Sequence, residues 1–540
     1  MSKREAAITP ELVFAEYRRG VAYKQSLGKH GMVEQNRINE RFYSGDQWHG
    51  VNCGDNRPLV RHNVIKRIGE YKMAIVAASP VSVQFSAEGV PNTLELRGRA
   101  QAIREQLRSG VSDAVGITAE EEAQTVAGAL TDYFATTSRR LGLDTLGRHA
   151  LRNAYITGTG VLYTYWDDCV RTGLYADTMR TKPICGDIAC EVLEIEQLYV
   201  GDPLLEDIQQ QPYILIAQRK PAAQLQRLAK QYGSADWRSI RPDDGGEDMS
   251  AHATVLTRFW KEWNEDGSAC TVKAMQVCRG AVVRAPWDMG VRLYPLSVFK
   301  WEEKRGRAYG ESEIPYLIPN QIAINRTVSA GVWAVMMMGM PIMLVNGDVV
   351  QQPITNDPGQ VIPVYGTGEE VQNAVRYVDP PAFTAQLDAN VQNLVNDTMT
   401  QAGVNTTLLG DVKPDNTSAI LAVCEASLMP LQMVQNRYFR FLEETARVWC
   451  EFWLTMYGNR ALKLQQADGV WYMPFNAEKY RDMLLSITVD VGSGSQYSEA
   501  RSVETLDNLY KSGVITVKQY LSRLPQGYVP KLDALLQELK

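Results

Sequence analysis

Residues 327–347 read TVSAGVWAVMMMGMPIMLVNG, twenty-one positions without a charged side chain. That is the length of a membrane-spanning helix. Gly331, Gly339, Gly347 and Pro341 interrupt it, no second run of this kind exists, and no Lys/Arg cluster marks one flank only. The stretch is therefore expected to be a helix followed by a strand, both buried in protein. A single-span membrane protein is the alternative that this stretch alone permits.

Upstream, apolar residues at Ile314, Ile318, Ile322, Val328 and Val332 carry the helical period back to about Gly310. Downstream, a Pro/Gly/Asn-rich piece over 342–381 contains the short apolar runs Ile342–Val345 and Val361–Tyr365 and reads as a small β module. A second helix follows, with Phe383, Leu387, Val391, Leu394, Val395 and Met399 on one stripe, ending before Gly403. A loop over 404–416 precedes a longer helix with Thr417 or Ser418 as its cap. Pro430 is expected to kink that helix, whose second half is rich in aromatic residues.

The first 310 residues change period twice. Thr9 and Pro10 start a helix expected to reach about Asn39, and a second runs from Asn63 to about Ala78. Thr118 and Glu121 have capping-box spacing ahead of a helix to Leu141, continued over 144–157. Alternation then predicts strands at 160–166, 188–199, 213–217, 255–263, 270–278 and 281–284, with a short helix at 221–232. The tail from Ser498 reads as short polar helices. The fold class is α+β.

With 540 residues, 45% hydrophobic and 22% charged, the chain is neither disordered nor a disulfide scaffold. Eight cysteines without a CxxC pair are expected to be reduced. The charged start lacks an apolar targeting segment, so synthesis in the cytoplasm is expected. The net charge of -6 argues against a protein that coats nucleic acid by neutralising phosphates. Residues 1–110 carry 17 Lys+Arg against 11 Asp+Glu, so the remainder sums to -12.

Catalytic signatures are missing. No GxxxxGK[ST] loop occurs, and Gly158/Gly160 and Gly492/Gly494 read as turns because a dinucleotide fingerprint needs a third glycine. Five histidines show no HExxH spacing, and there is no GxSxG elbow. Adjacent acids on a strand point to opposite faces. A nucleic-acid enzyme of unrecognised motif is the second alternative. Between Thr327 and Asn436 there are ten acids and two bases, Arg376 and Lys413. A surface of this kind repels a polyanion, so DNA passing along it would slide.

Several motifs, in this order, resemble the portal (head-to-tail connector) proteins of tailed double-stranded DNA bacteriophages. Phe42-Tyr43-Ser44-Gly45-Asp46-Gln47-Trp48, Arg57-Pro58-Leu59-Val60 and Asn63 are similar to the family's N-terminal segment. Gly186-Asp187-Ile188 to Glu194 and Tyr199-Val200-Gly201-Asp202-Pro203 are similar to its wing strand pair. The most specific piece is Tyr294-Pro295-Leu296 with Tyr309-Gly310-Glu311-Ser312-Glu313-Ile314 and Gln321-Ile322-Ala323-Ile324-Asn325. Gly403-Val404-Asn405 and Leu409-Gly410 precede Thr417-Ser418-Ala419-Ile420; many relatives have a glycine near that point.

The resemblance implies a portal fold: a mixed α/β wing, a helical stem, a small β-containing clip and a helical crown, in a ring usually of twelve subunits. Residues 1–309 would be the N-terminal helices and wing, 310–339 the first stem helix and 340–381 the clip. The second stem helix would be 382–403, the tunnel loop 404–416, the kinked wing helix 417–457, and 458–540 the wing remainder and crown. It further implies a non-catalytic conduit for double-stranded DNA at one capsid vertex of the virion. Its partners would be the terminase large subunit, head-tail adaptors, and the major capsid and scaffolding proteins, with no membrane, metal or cofactor. Asp388, Asp397, Asp411, Asp415 and Lys413 are the channel candidates, Lys413 for transient phosphate contact.

Overall fold

The computed structural model describes residues 8–52, 57–78, 81–88, 119–175, 179, 181–243, 251–264, 267, 270–339, 343–350, 352–355, 360–377, 384–404, 417–466, 469–481, 483, 485–491, 506–513 and 515–521. The chain is mixed α+β and divides into two compact units. The first comprises 1–37, 71–313 and 416–540, the second 38–70 and 314–415. The boundaries at 37/38 and 70/71 fall inside helices α2 (Met32–Ser44) and α3 (Val64–Ala78).

In the first unit, α1 (Pro10–Ser26) begins as the sequence predicts, with Thr9 Oγ1 accepting from the Leu12 amide at 3.4 Å. It stops at Ser26 instead of reaching Asn39. Gly28 and Gly31 both adopt positive φ, +69° and +79°, a conformation that no helix continues through. Strand β1 (Val81–Ala87) precedes α4 (Ala119–Leu141) and α5 (Leu143–Thr157), which are separated by Gly142 at φ +65°. The Thr118 cap lies outside the described residues.

Strands form where the sequence predicts them, most with longer ends, and one more, β9 (Leu296–Lys300), forms where it predicts none. They are β2 (Thr159–Tyr175), β3 (Pro183–Leu193), β4 (Leu198–Val200), β5 (Tyr213–Pro221), β6 (His252–Trp263), β7 (Cys270–Cys278), β8 (Ala281–Asp288) and β9 (Leu296–Lys300). The strand expected over 188–199 is two: a 3-10 turn at Ile195–Gln197, closed by a Glu194/Gln197 capping box, sends β3 and β4 into different sheets. One sheet has the order β3-β2-β9, the other the antiparallel order β4-β5-β6-β7-β8.

The five-stranded sheet is covered on both faces. Leu215, Leu256, Met275 and Val277 pack with Val13 and Tyr199, beneath α1. The opposite parity, Val255, Cys278 and Val283, packs with Ala222, Leu225 and Ala229 of α6 (Ala222–Gln231). Two buried cations fasten α1. Arg258 grips Glu16 through both carboxylate oxygens, at 2.8 and 3.1 Å. Lys24 Nζ donates to the Ile195 carbonyl at 2.6 Å, 3.8 Å from the Tyr199 ring centre, and burial pulls its pKa down to about 7.

After α7 (Ile314–Gly339), β10 (Met343–Val345), β11 (Val375–Tyr377) and α8 (Thr384–Gln401), helix α9 (Thr417–Met456) returns the chain to the first unit. It runs forty residues with Pro430 inside its span. Its aromatic half is core: Trp449 and Trp453 are fully buried, Phe441 packs on Phe299, and Tyr133 packs edge-on against Trp453. Tyr457 donates to Asp187 at 2.5 Å and lies 2.9 Å from the Tyr133 hydroxyl, while Arg140 pairs with the second Asp187 oxygen at 3.0 Å.

Strands β12 (Asn459–Gln466), β13 (Gly469–Asn476) and β14 (Leu485–Val491) follow. These, like β1, are absent from the sequence-based expectation. Strand β1 pairs only with β14, Val81 opposite Val491, so neither has a local partner to announce it. Of the tail, 506–511 and Val517–Leu521 are helical, as expected, and 522–540 lie outside the described residues.

A cavity of about 320 Å³ lies beside the contact of α9 with β9, next to the residues after β4, lined among others by Asp207, Lys300, Glu303, Arg440 and Glu444. Burial, reinforced by the Asp207 charge, pushes the Glu444 carboxyl up to about 7, against the Val298 amide, Arg447 and Lys300. Burial likewise pulls Lys300 down. Between the ordinary 4.5 and about 7 the folded chain holds the Glu444 proton more tightly than the unfolded chain, so this contribution to stability is lost as pH rises through that window. Glu444→Gln is expected to flatten the dependence of the melting temperature on pH between about 4.5 and 7 and to raise it above pH 7, read by calorimetry across a pH series; an unchanged slope refutes the assignment.

Candidate functional site

In the second unit the polar side chains of α7 form a ladder. Gln321, Asn325 and Ser329 recur every fourth residue, on one stripe of the helix. Ser329 Oγ accepts from the Val60 amide at 3.0 Å, Asn325 Oδ1 from the His62 amide at 3.0 Å, and Gln321 Oε1 from the Val64 amide at 2.9 Å. Gln321 Nε2 returns a bond to the His62 carbonyl at 2.7 Å.

The spacings match. Four residues of helix rise about 6.0 Å, and two residues of extended chain about 6.6 Å, so alternate amides of 60–64 meet successive rungs. Asn325 Nδ2 also donates to Gln47 Oε1 at 2.5 Å, and Gln47 donates to the Phe42 carbonyl at 2.9 Å. Trp48 Nε1 bonds the Val60 carbonyl, and Asn63 bonds the Tyr43 carbonyl while accepting from the Lys66 amide as the cap of α3. Gln321 and Asn325 are buried. The two sequence motifs around 42–63 and 321–325 are thus halves of one hydrogen-bonded structure.

The preceding motif, residues 309–313, is built into the first unit. A Cβ on Gly310 would lie 2.4 Å from the Gly158 carbonyl oxygen, and one on Gly158 would lie 2.5 Å from that of Gly310, so the two backbones touch. Gly158 also needs its φ of +89°. It is the turn that the sequence predicts, and a close contact besides. The Gly310 amide donates to Thr159 Oγ1 at 2.9 Å, Ser312 Oγ to the Tyr155 carbonyl at 2.6 Å, and Lys72 pairs with Glu313 at 2.5 Å.

Helix α7 pairs with α8, the Asn320 amide group donating to Gln401 at 3.0 Å. Leu387, Val391, Leu394, Val395 and Met399 of α8 are half-buried or buried, as the stripe predicts, with Thr398 buried beside Met399; Phe383 lies outside the described residues. The uncharged run of 327–347 divides between the end of α7 and β10, a helix and then a strand. Its burial is incomplete. Val332, Val335 and Met336 are 39%, 56% and 47% exposed and form a stripe at steps of three and one.

Among the described residues, the module after it has a core of Val349, Val350 and Ala374 with Ile354 and Ile362 against them. Two three-residue strands, β10 and β11, make up its sheet. Leu344, Val361, Tyr365 and Tyr377 stand on its surface, Val361 at 86% exposure. No helix among the described residues is long and apolar enough to cross a membrane.

Of the channel candidates, Asp388 and Asp397 are exposed on α8. They are nine residues apart, about 180° around a helix of 3.6 residues per turn, so the two face opposite ways. Asp411, Lys413 and Asp415 lie outside the described residues. No protein-family model matches the chain, and no curated protein matches it.

Sequence reasoning did not identify Gln47, His62 and Ser329 as a connected set, although Gln321, Asn325 and Ser329 share a stripe that period counting finds. Asn325→Leu is expected to cost about 3 kcal/mol by stranding the His62 amide and the Gln47 and Gln321 side chains. Hydrogen exchange at the amides of 60–65 should accelerate while that of β5–β7 is unchanged; equal protection in both regions refutes the ladder.

Proposed function

We propose that this chain is the subunit of a ring-shaped phage portal, a homo-oligomer of about twelve copies on the family pattern. The observation that carries the reading is the exposed apolar surface of the second unit. A helix stripe of Val332, Val335 and Met336 and a module with a three-residue core leave large side chains in water, which a neighbouring copy would cover. A two-stranded sheet is marginal alone. The order of the described elements supports the reading: long helix, small β module, second helix, long proline-containing helix.

On this reading α7 and α8 are the stem, 340–381 the clip, 404–416 the tunnel loop, and the first unit carries the wing with the crown beyond it. The ring sits at one capsid vertex of the virion after synthesis in the host cytoplasm. The terminase large subunit drives double-stranded DNA through it, and head-tail adaptors, the major capsid protein and scaffolding protein dock on it. The chain itself catalyses nothing and requires no cofactor or membrane. Helix α8 supports a sliding surface: it has no Lys or Arg, and its charges are Asp388 and Asp397.

Val335→Glu combined with Met336→Glu is expected to abolish rings in negative-stain images and light scattering while the circular dichroism of the folded subunit is retained. A wild-type protein that stays monomeric under every assembly condition, or rings that survive the double substitution, sinks the proposal. Asp388→Lys and Asp397→Lys should then differ: one impairs DNA packaging or retention and the other does not, because they project from opposite sides of α8. Impairment by neither removes the sliding argument.

A further inference from the structure

A second surface of the first unit has the opposite electrostatic character, and the stem reading does not use it. Where α6 ends against β8, four cations lie close together on ring faces or beside them. The Arg284 guanidinium is 4.4 Å from the Tyr232 ring centre and 3.7 Å from that of Trp287. Lys230 Nζ and the Arg238 guanidinium are 5.6 and 5.0 Å from the Trp237 ring centre. Trp237 packs in turn on the core under α6, which fixes the platform. Arg227, one turn before Lys230, is exposed, as are Lys230 and Arg238.

Among the described residues, Arg227, Lys230, Arg238 and Arg284 make no ion pair. Of the described acids near these cations in sequence, Asp288 accepts from Thr271 Oγ1 and the Gly290 amide and Asp243 from the Thr254 amide and hydroxyl, and neither pairs with the four cations. Asp236 is the one acid between Arg219 and Arg241. Residues 244–250 lie outside the described residues.

We propose that this α6/β8 patch binds the phosphate backbone of duplex DNA. Cations held on aromatic faces keep their charge and have little rotamer freedom left to lose, which suits them to a regular row of phosphates. A platform for unpaired bases needs open ring faces, and here the rings already carry cations. A protein partner would be expected to find an apolar pocket at the centre of the patch, and the apolar atoms of Trp237 are instead turned into the core. Duplex backbone is therefore favoured over single strands and over an acidic protein. The inference concerns the first unit alone and does not depend on ring formation.

Titration of the full-length protein with a labelled duplex over a salt series tests it. Arg227→Glu with Arg238→Glu is expected to weaken binding about tenfold or more at about 50 mM salt and to make the slope of log K against log salt shallower by about 2. The matched reversal Arg61→Glu with Arg67→Glu, on the second unit, should leave binding at the wild-type level. If the glutamate pair does not give a folded melting curve, Arg227→Gln with Arg238→Gln replaces it, with the same direction expected. Wild-type affinity and slope in the α6 variant overturn the proposal. So does tighter binding of a single strand of equal length, or binding of polyglutamate in preference to the duplex.

Discussion

The second unit depends on a match between two repeat distances. An extended segment offers its amides every second residue, a helix offers side chains on one stripe every fourth, and Gln321, Asn325 and Ser329 span 60–64 because those intervals nearly coincide. The amide side chains at 321 and 325 each have donors and an acceptor to share, so one stripe satisfies an irregular segment that has no strand beside it. Burial of Gln321 and Asn325 makes the arrangement stringent, since a missing rung leaves polar groups without water. A long helix of apolar composition is thereby tied to residues some 260 positions earlier.

The first unit is held by different means. Its five-stranded sheet is sandwiched by α1 and α6, and α9 supplies aromatic bulk to a core that strands from both ends of the chain complete. At its edge, Gly158 and Gly310 bring two backbones into contact immediately before α7 begins. The residues 309–313 therefore belong to the first unit, while the next turn of chain starts α7 in the second. Close backbone approach explains the glycines, and the Ser312 hydroxyl and one Glu313 carboxylate oxygen are engaged by Tyr155 and Lys72.

Charge and apolar surface are distributed by unit. The second unit leaves Val335, Met336, Val361 and Tyr365 in solvent and carries few cations after 327. The first unit places an arginine-rich patch on aromatic supports. The net charge of -6 shows neither feature, because it sums over surfaces that differ locally.

The sequence by itself determined the α+β class, the positions of α7, α8 and α9, the strands of the five-stranded sheet, and the helix-then-strand division of the uncharged run. These follow from local periodicity and from proline and glycine, which act over a few residues. Tertiary structure decided what those signals do not contain. Strands β1 and β14 form because each completes the other across 400 residues, and the break after Ser26 is set by two glycines taking left-handed conformations that their identity allows without requiring. The joining of 60–64 to 321–329, the contact of Gly158 with Gly310, and the assembly of the α6/β8 patch are likewise long-range, since hydrogen-bond partners and ring-cation contacts are chosen in space. The channel candidates show the same limit. Helical geometry puts Asp388 and Asp397 on opposite sides of α8, but what each side of the helix meets is decided by packing in space and not by local sequence.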